Sequence, residues 1–260
     1  MSRPLRLLVT DLDGTLLGDR DALAHLCDLF SRDDAPALAF ATGRQRESAV
    51  TLLEQWNVSC GDFLIAGVGS EIYERNASGW NALPWPPDNE RWDAERVRAA
   101  LAGLPLEPQP VSSPVKVSYV ATPESAAHAV DRLASLAIDA NVVHSHGDLL
   151  DVLPSGVDKG SAVSWLTRHL EIDSSAVITC GDTENDLAML ALSCASIIVS
   201  NARREVRAAA ASMERVYIAG RPHAGGILEG LRRYGWLTPD GWSRIEPRRY
   251  DRDTNSRYLS

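Results

Sequence analysis

Short apolar runs that each stop at a small or polar cluster constrain this chain more than any other feature. Residues 7–9 stop at Thr10 and Asp11, 37–41 at Thr42 and Gly43, and 63–66 at Gly67. Residues 176–180 stop at Gly181 and Asp182, 196–199 at Ser200 and Asn201, and 216–218 at Ala219 and Gly220. Runs without polar alternation predict strands covered on both faces, as in a parallel sheet. Helical patterns follow several of them, over 21–30, 46–55, 159–170, 185–192 and 203–212. The alternation predicts an α/β fold, an open parallel Rossmann-like sheet flanked by helices. Ligands of such sheets gather at the carboxyl ends of the strands, where these Asp, Thr and Gly clusters fall.

The rhythm breaks in the middle of the chain. Leu83, Pro84, Trp85, Pro86 and Pro87 read as a linker, followed by a helical pattern from Glu90 to about Leu101. Residues 115–119 alternate like a half-buried strand, 123–137 read as a helix, and 141–144 and 149–153 as strands. This predicts an inserted α+β cap over 80–154, between core segments 1–79 and 155–240. Residues 241–260 have little apolar periodicity and read as a loosely held tail.

Composition narrows the function classes. Apolar residues make up 45% and charged residues 23% of the 260, an ordinary globular balance. The net charge of −9 repels a phosphate backbone, which argues against nucleic acid as a partner. It also means that a phosphate site would need cations close at hand. Cys27, Cys60, Cys180 and Cys194 form no CxxC pair and fit no zinc spacing, so free thiols are expected. The first apolar run is too short for a signal peptide, and no stretch reaches the ~18 apolar residues of a membrane span. A cytoplasmic protein without a membrane partner is expected; oligomeric state is not legible.

The polar clusters suggest chemistry. Asp11 and Asp13 lie on one side of an extended segment. Two carboxylates so close repel, so one is protonated or a metal holds both. Gly14 permits the sharp exit that follows. Asp182 and Asp186 form a second acidic group after a later strand, and hard oxygen ligands without Cys or His suit Mg²⁺. Asp182 and Asn185 could equally cap the next helix. Thr42, Gly43 and Arg44 offer a hydroxyl and backbone N–H groups where a helix opens, a setting for anions. Lys159 opens another helix, where a cation opposes the macrodipole unless it faces an anion.

Taken in order, the DxDGT, T-G-R, K-G and GDxxND clusters resemble the haloacid dehalogenase superfamily over nearly the whole chain. The resemblance implies that Asp11 attacks phosphorus while Asp13 donates a proton to the leaving oxygen and then activates water. It implies that Thr42, Gly43, Lys159 and Asn185 hold the phosphoryl group. Asp11, Asp182, Asp186 and the backbone carbonyl of Asp13 would hold Mg²⁺. A cap between the T-G-R and K-G clusters marks a branch rich in sugar phosphatases. Phe40 to Arg44, Gly67 to Tyr73, Lys116 to Tyr119, Asp158 to Gly160 and His223 to Glu229 are similar to sucrose-6-phosphate phosphatases, with mannosylfructose-phosphate phosphatases the nearest rival. The implied partner is a small sugar phosphate, with Arg44, Glu71 and Lys116 as candidate substrate contacts. His144 and His146, two apart on one strand, read as surface or sugar-facing residues, because further zinc ligands are missing. His223 reads as a loop near the site or a helix start. A phospho-accepting signalling switch would use similar acids but would be shorter and need no cap.

Overall fold

The computed structural model describes residues 6–85, 92–110, 113–145, 147–192 and 194–243. The chain opens with β1 (Leu7–Thr10), α1 (Arg20–Phe30), β2 (Ala37–Ala41), α2 (Arg46–Gln55), β3 (Phe63–Ala66), β4 (Glu71–Asn76) and β5 (Gly79–Ala82). The middle holds α3 (Ala94–Leu101), β6 (Glu107–Pro108), β7 (Val117–Val120), α4 (Pro123–Ser135), β8 (Ala140–Ser145) and β9 (Leu149–Pro154). The last part contains α5 (Lys159–His169), β10 (Val177–Gly181), α6 (Leu187–Leu190), β11 (Ala195–Ile198), α7 (Arg204–Ala209), β12 (Val216–Ile218) and α8 (His223–Arg233). A short hairpin of β13 (Leu237–Thr238) and β14 (Gly241–Trp242) ends the described chain.

An eight-stranded sheet has the order β12-β11-β10-β1-β2-β3-β4-β5. Strands from β12 to β3 pair in parallel, as expected, whereas β4 and β5 add an antiparallel edge. Only residues 67–70 join β3 to β4, too few for the crossover that a parallel pair requires. The large sheet therefore continues to Ala82, past residue 79 where the sequence reading ended the first core segment.

Strand alternation explains why the runs are apolar throughout. Leu8, Leu38, Phe40, Leu64 and Ile178 face α1 and α8, where Leu26, Ile227 and Leu231 are buried. Their neighbours Leu7, Val9, Ala39 and Ile65 face α5, where Val163 and Leu166 are buried. The chain winds from β1 toward β2 on one side, and the later strands lie on the other, so β1 and β10 flank the topological switch point. A crevice opens there at the carboxyl ends of the strands.

A second, antiparallel sheet has the order β6-β7-β9-β8. Val117, Tyr119, Leu150, Val152 and Val142 pack against α3 and α4. Alternate residues turn the other way: Leu153 and Val143 pack on Val68 and Val157 near the core. His144 shares its register with Val142, on the face turned away from the crevice, and its Nε2 lies 2.9 Å from the Ala121 carbonyl. A sugar-facing role for His144 is thereby replaced by a bond within the cap; His146 lies outside the described residues.

Two expectations about connecting segments change. The helix expected from Glu90 begins at Ala94 behind an Asp93 cap; Glu90 itself lies outside the described residues, as do Pro86 and Pro87 of the linker. Trp85 of that linker is anchored: its indole donates to the Gly69 carbonyl at 2.8 Å and packs 5.7 Å from Trp165. The segment read as tail from Gly241 also starts inside the fold. Trp242 is buried, donates to the Leu29 carbonyl at 2.9 Å and meets Phe30 edge-on at 4.9 Å. Residues 244–260 lie outside the described residues.

Trp242→Ala should therefore destabilise the protein by about 3–5 kcal/mol, the range for deleting a buried large aromatic. Urea unfolding measures this; a loss below about 0.5 kcal/mol, the range of surface substitutions, would show that the hairpin is not part of the core.

Candidate active site

The first strand ends in the crevice and delivers Asp11, whose amide donates to the Cys180 carbonyl of β10 at 3.0 Å. Asp11 is 4% exposed, and its carboxylate accepts from Lys159 Nζ at 2.7 Å. Lys159 is the first residue of α5 and wholly buried. Asp158 caps that helix through the Ser161 amide, and Ser161 reciprocates, so the backbone is satisfied while the lysine side chain points inward. Its Nζ also donates to Asp186 Oδ1 at 2.6 Å. The cost of a cation at a helix start is offset here by two carboxylates.

The later acids come from the loop after β10. Asp186 Oδ2 accepts from the amides of Asp182 and Thr183, both at 3.0 Å, which tightens that loop. Asp182 accepts from the Thr15 hydroxyl at 2.5 Å. Gly14 has φ of +84°, and a Cβ there would stand 2.4 Å from Asp182 Oδ2, so only glycine fits between the acidic loops. Asn201 donates to the Gly14 carbonyl at 2.7 Å, and the His223 ring lies 2.8 Å from the same oxygen. His223 is thus a helix start whose side chain holds the DxDGT loop.

Carboxylate oxygens of Asp11, Asp182 and Asp186 lie within 4.8 Å of one another. Three buried carboxylates share one buried ammonium, an excess of negative charge that a divalent cation would offset. An all-oxygen donor set suits a hard cation. The Asp13 side chain lies outside this trio. Arg44 instead binds it with two bonds, Nε to Oδ2 at 2.6 Å and a second guanidinium N–H to Oδ1 at 2.9 Å.

Burial pushes Asp11 well above the usual carboxylate range, against the pull of Lys159. Burial, reinforced by Asp186, pushes Asp182 up to about 7, against the Thr15 bond. For Lys159 burial acts downward, but Asp11 and Asp186 outweigh it and keep the ammonium above its ordinary value.

A cavity of about 730 Å³ separates this cluster from the cap. Asp11, Asp13, Thr42, Gly43, Arg44 and Asn185 line the core side. The cap contributes Gln109, Lys116, Ser145 and Asp151. Lys116 is buried; its Nζ reaches the Gly43 carbonyl at 3.2 Å and Asp151 at 2.9 Å, bridging core and cap. Of the predicted site residues, Lys159, Asp182 and Asp186 are not among those lining the cavity, and neither is Glu71. Its carboxylate accepts from Tyr73 at 3.0 Å and Ser113 at 3.2 Å, because alternation puts Glu71 and Tyr73 on one face of β4.

Residues 4–235 match the family described as sucrose-6F-phosphate phosphohydrolase. The chain belongs to this family. It is 32% identical over 243 residues to mannosylfructose-phosphate phosphatase of Agrobacterium fabrum, covering 90% of this chain and 98% of that protein. It is also 34% identical to glucosylglycerol-phosphate synthase of Pseudomonas anguilliseptica over 90% of this chain, but spans only 31% of that protein. The sucrose-phosphatase of Synechocystis sp. PCC6803, solved with sucrose and phosphate, superposes with a TM-score of 0.83 at 33% identity, covering 90% of this chain and all of the other. Membership of the sucrose-6F-phosphate phosphohydrolase family makes the chain a sugar-phosphate phosphatase of haloacid dehalogenase fold with an aspartate nucleophile. The signalling-switch alternative falls away. Among the described residues no helix is long and apolar enough to cross a membrane.

Sequence reasoning missed Thr15, Asn201, Ser145 and Asp151. Asp151 did carry a signal: it is the one acid in the otherwise apolar strand Leu149–Pro154.

The raised acids make a pH prediction. An unfolded chain ionises an aspartate near ~4, whereas folded, metal-free Asp182 ionises at about 7. Between those values the folded state keeps a proton that the unfolded state has lost, so stability falls as pH rises. Raised Asp11 acts in the same direction. Metal-free protein should show a falling Tm from about pH 4 to pH 7, and added divalent cation should raise Tm more at about pH 8 than at about pH 5. An equal or larger rise at the acid end would contradict this reading of the cluster.

Proposed function

We propose that this chain is a Mg²⁺-dependent hydrolase of sucrose 6-phosphate that works through a phosphorylated Asp11. The observation that carries the proposal is the buried Asp11–Lys159–Asp182–Asp186 cluster, which meets through Asp11 a cavity roofed by polar cap residues. The floor can bind only what all phosphate esters share. The roof has room and hydrogen-bonding groups for a sugar larger than one ring.

In this reading the Asp11 carboxylate attacks phosphorus, and the bond to the sugar oxygen breaks. Lys159 sits 2.7 Å from the attacking carboxylate and balances charge on the phosphoryl oxygens. The Thr42 hydroxyl, the Gly43 amide and the Asn185 amide border the same space and orient those oxygens. Asp13 protonates the leaving sugar oxygen and then takes a proton from the water that cleaves the phosphorylated Asp11. Its two bonds to Arg44 hold it at the cavity wall, so Arg44 acts on substrate chiefly through Asp13. Asp11, Asp182, Asp186 and the Asp13 carbonyl would hold Mg²⁺, which supplies charge neutralisation as phosphate and carboxylate approach. In the same reading Lys116, Asp151 and Ser145 meet sugar hydroxyls from the cap side of the cavity they line; Glu71, engaged elsewhere, does not.

A second reading, mannosylfructose phosphate as substrate, is favoured by the similarity that spans nearly the whole of the Agrobacterium phosphatase. It shares the mechanism and changes only the sugar.

Asp11→Asn should lower kcat by at least about a thousandfold with the fold retained, because an amide cannot attack phosphorus. A chelator should abolish turnover, and Mg²⁺ should restore it. An Asp11→Asn protein with near-normal hydrolysis would end the mechanistic proposal.

A phosphate-release panel tests the substrate. Each cap hydrogen bond that a monosaccharide cannot make leaves a buried group unpaired, at about 1–3 kcal/mol. Sucrose 6-phosphate should therefore exceed glucose 6-phosphate and fructose 6-phosphate by on the order of a hundredfold in kcat/KM. Lys116→Ala should depress the disaccharide phosphate more than a small aryl phosphate. Equal values across the panel would leave a general sugar phosphatase, and a lead for mannosylfructose phosphate would select the second reading.

A further inference from the structure

Two thiols that catalysis does not use lie against each other. Cys27 sits in the last turn of α1, and Cys60 in the loop between α2 and β3. Their sulfurs are 3.1 Å apart, with the Cys60 thiol donating to Cys27. We propose that Cys27 and Cys60 are a reversible thiol–disulfide site, oxidised by small disulfides of the glutathione type.

Several observations converge on it. The sulfurs need to approach by only about 1 Å to reach bonding distance. The loop carrying Cys60 is held in place rather than free to turn away. Val58 donates to Leu53 at 2.8 Å, and Asp62 and Leu38 exchange two bonds of 2.8 Å. Arg75 donates to the Ser59 carbonyl at 2.8 Å. Gly61 has φ of +112° and lies under the Phe40 ring, where a Cβ would clash at 2.4 Å.

The pair is also unequal, as an attacking and a resolving thiol should be. Cys27 is half-buried, while Cys60 is buried. The hydrogen bond from Cys60 holds the Cys27 thiol below its ordinary value, and the same bond together with burial pushes Cys60 up. The other two cysteines, Cys180 and Cys194, are both buried and offer no such exposed partner.

The chemistry balances in two exchanges. The Cys27 thiolate attacks one sulfur of the small disulfide and expels its other half as a thiolate. The Cys60 thiol then gives up its proton, and its sulfur attacks Cys27 Sγ, expelling the second small thiolate. The protein loses two thiols and gains one disulfide, and the small disulfide becomes two thiols. The bond would tie α1 to the loop that feeds β3, at the amino-terminal end of that strand. The catalytic loops lie at the opposite end, so the link should stiffen the core without touching the reaction.

The test uses the whole chain incubated in glutathione buffers of graded redox poise, quenched with an alkylating agent. Thiol counting should fall from four to two, and peptide mapping should join Cys27 to Cys60. Oxidised protein should melt several degrees higher, roughly 4 °C or more, with kcat unchanged. Cys27→Ser, at a half-buried position where folding should survive, should keep three thiols and lose the shift in melting. Four alkylated thiols under oxidising poise, glutathione retained on Cys27 without a link to Cys60, or a link through Cys180 or Cys194 would each overturn the proposal.

Discussion

The ion pairs of Lys159 organise this molecule's functional end. A wholly buried ammonium 2.7 Å from Asp11 and 2.6 Å from Asp186 joins the first strand, α5 and the loop after β10 at one point. Removing the lysine would leave clustered carboxylates in a dry site, which proteins tolerate only by neutralising them. The acids that create this problem are those that could hold a divalent cation. The raised Asp11 and Asp182 express the cost of burying those carboxylates together.

The surrounding backbone is arranged to keep those charges close. Asp186 draws the Asp182 and Thr183 amides around one oxygen, and Gly14 lets the first acidic loop pass within side-chain distance of the second. Asn201 and His223 grip the Gly14 carbonyl from the far side. Behind the T-G-R loop, the Val68 amide donates to Thr42 and the Gly67 amide to Arg44. Val68 holds φ of +61°, a costly value for a β-branched residue, and is buried among Leu153 and Val157 where the cap returns to the core. The site and the hinge region thus share one packed segment.

The two walls of the cavity differ in physical character. The floor of the cavity is ionic, lined by Asp11, Asp13 and Arg44. The roof is a β-sheet face on which Asp151 and Ser145 alternate with residues that support the cap's own core. Lys116 touches both, reaching Asp151 of the cap and Gly43 of the core. That residue therefore ties the cap to the core at the edge of the cavity.

The parallel strands and the gathering of Asp11, Asp182 and Asp186 at their ends were legible from the chain alone. A doubly buried strand must be apolar throughout, and the polar groups of such a sheet gather where its strands end. Lys159 was legible for a related reason, since a cation opening a helix calls for a nearby anion. The antiparallel edge was not, because β4 and β5 carry no pattern that separates sheet continuation from cap entry. The engagement of Glu71 with Tyr73 and Ser113, the turning of His144 toward Ala121, and the burial of Trp242 were decided only in three dimensions. So was the contact of Cys27 with Cys60, which are distant in sequence. Local sequence specifies which groups emerge from each strand and helix; which of them meet depends on register, twist and packing between segments far apart in the chain.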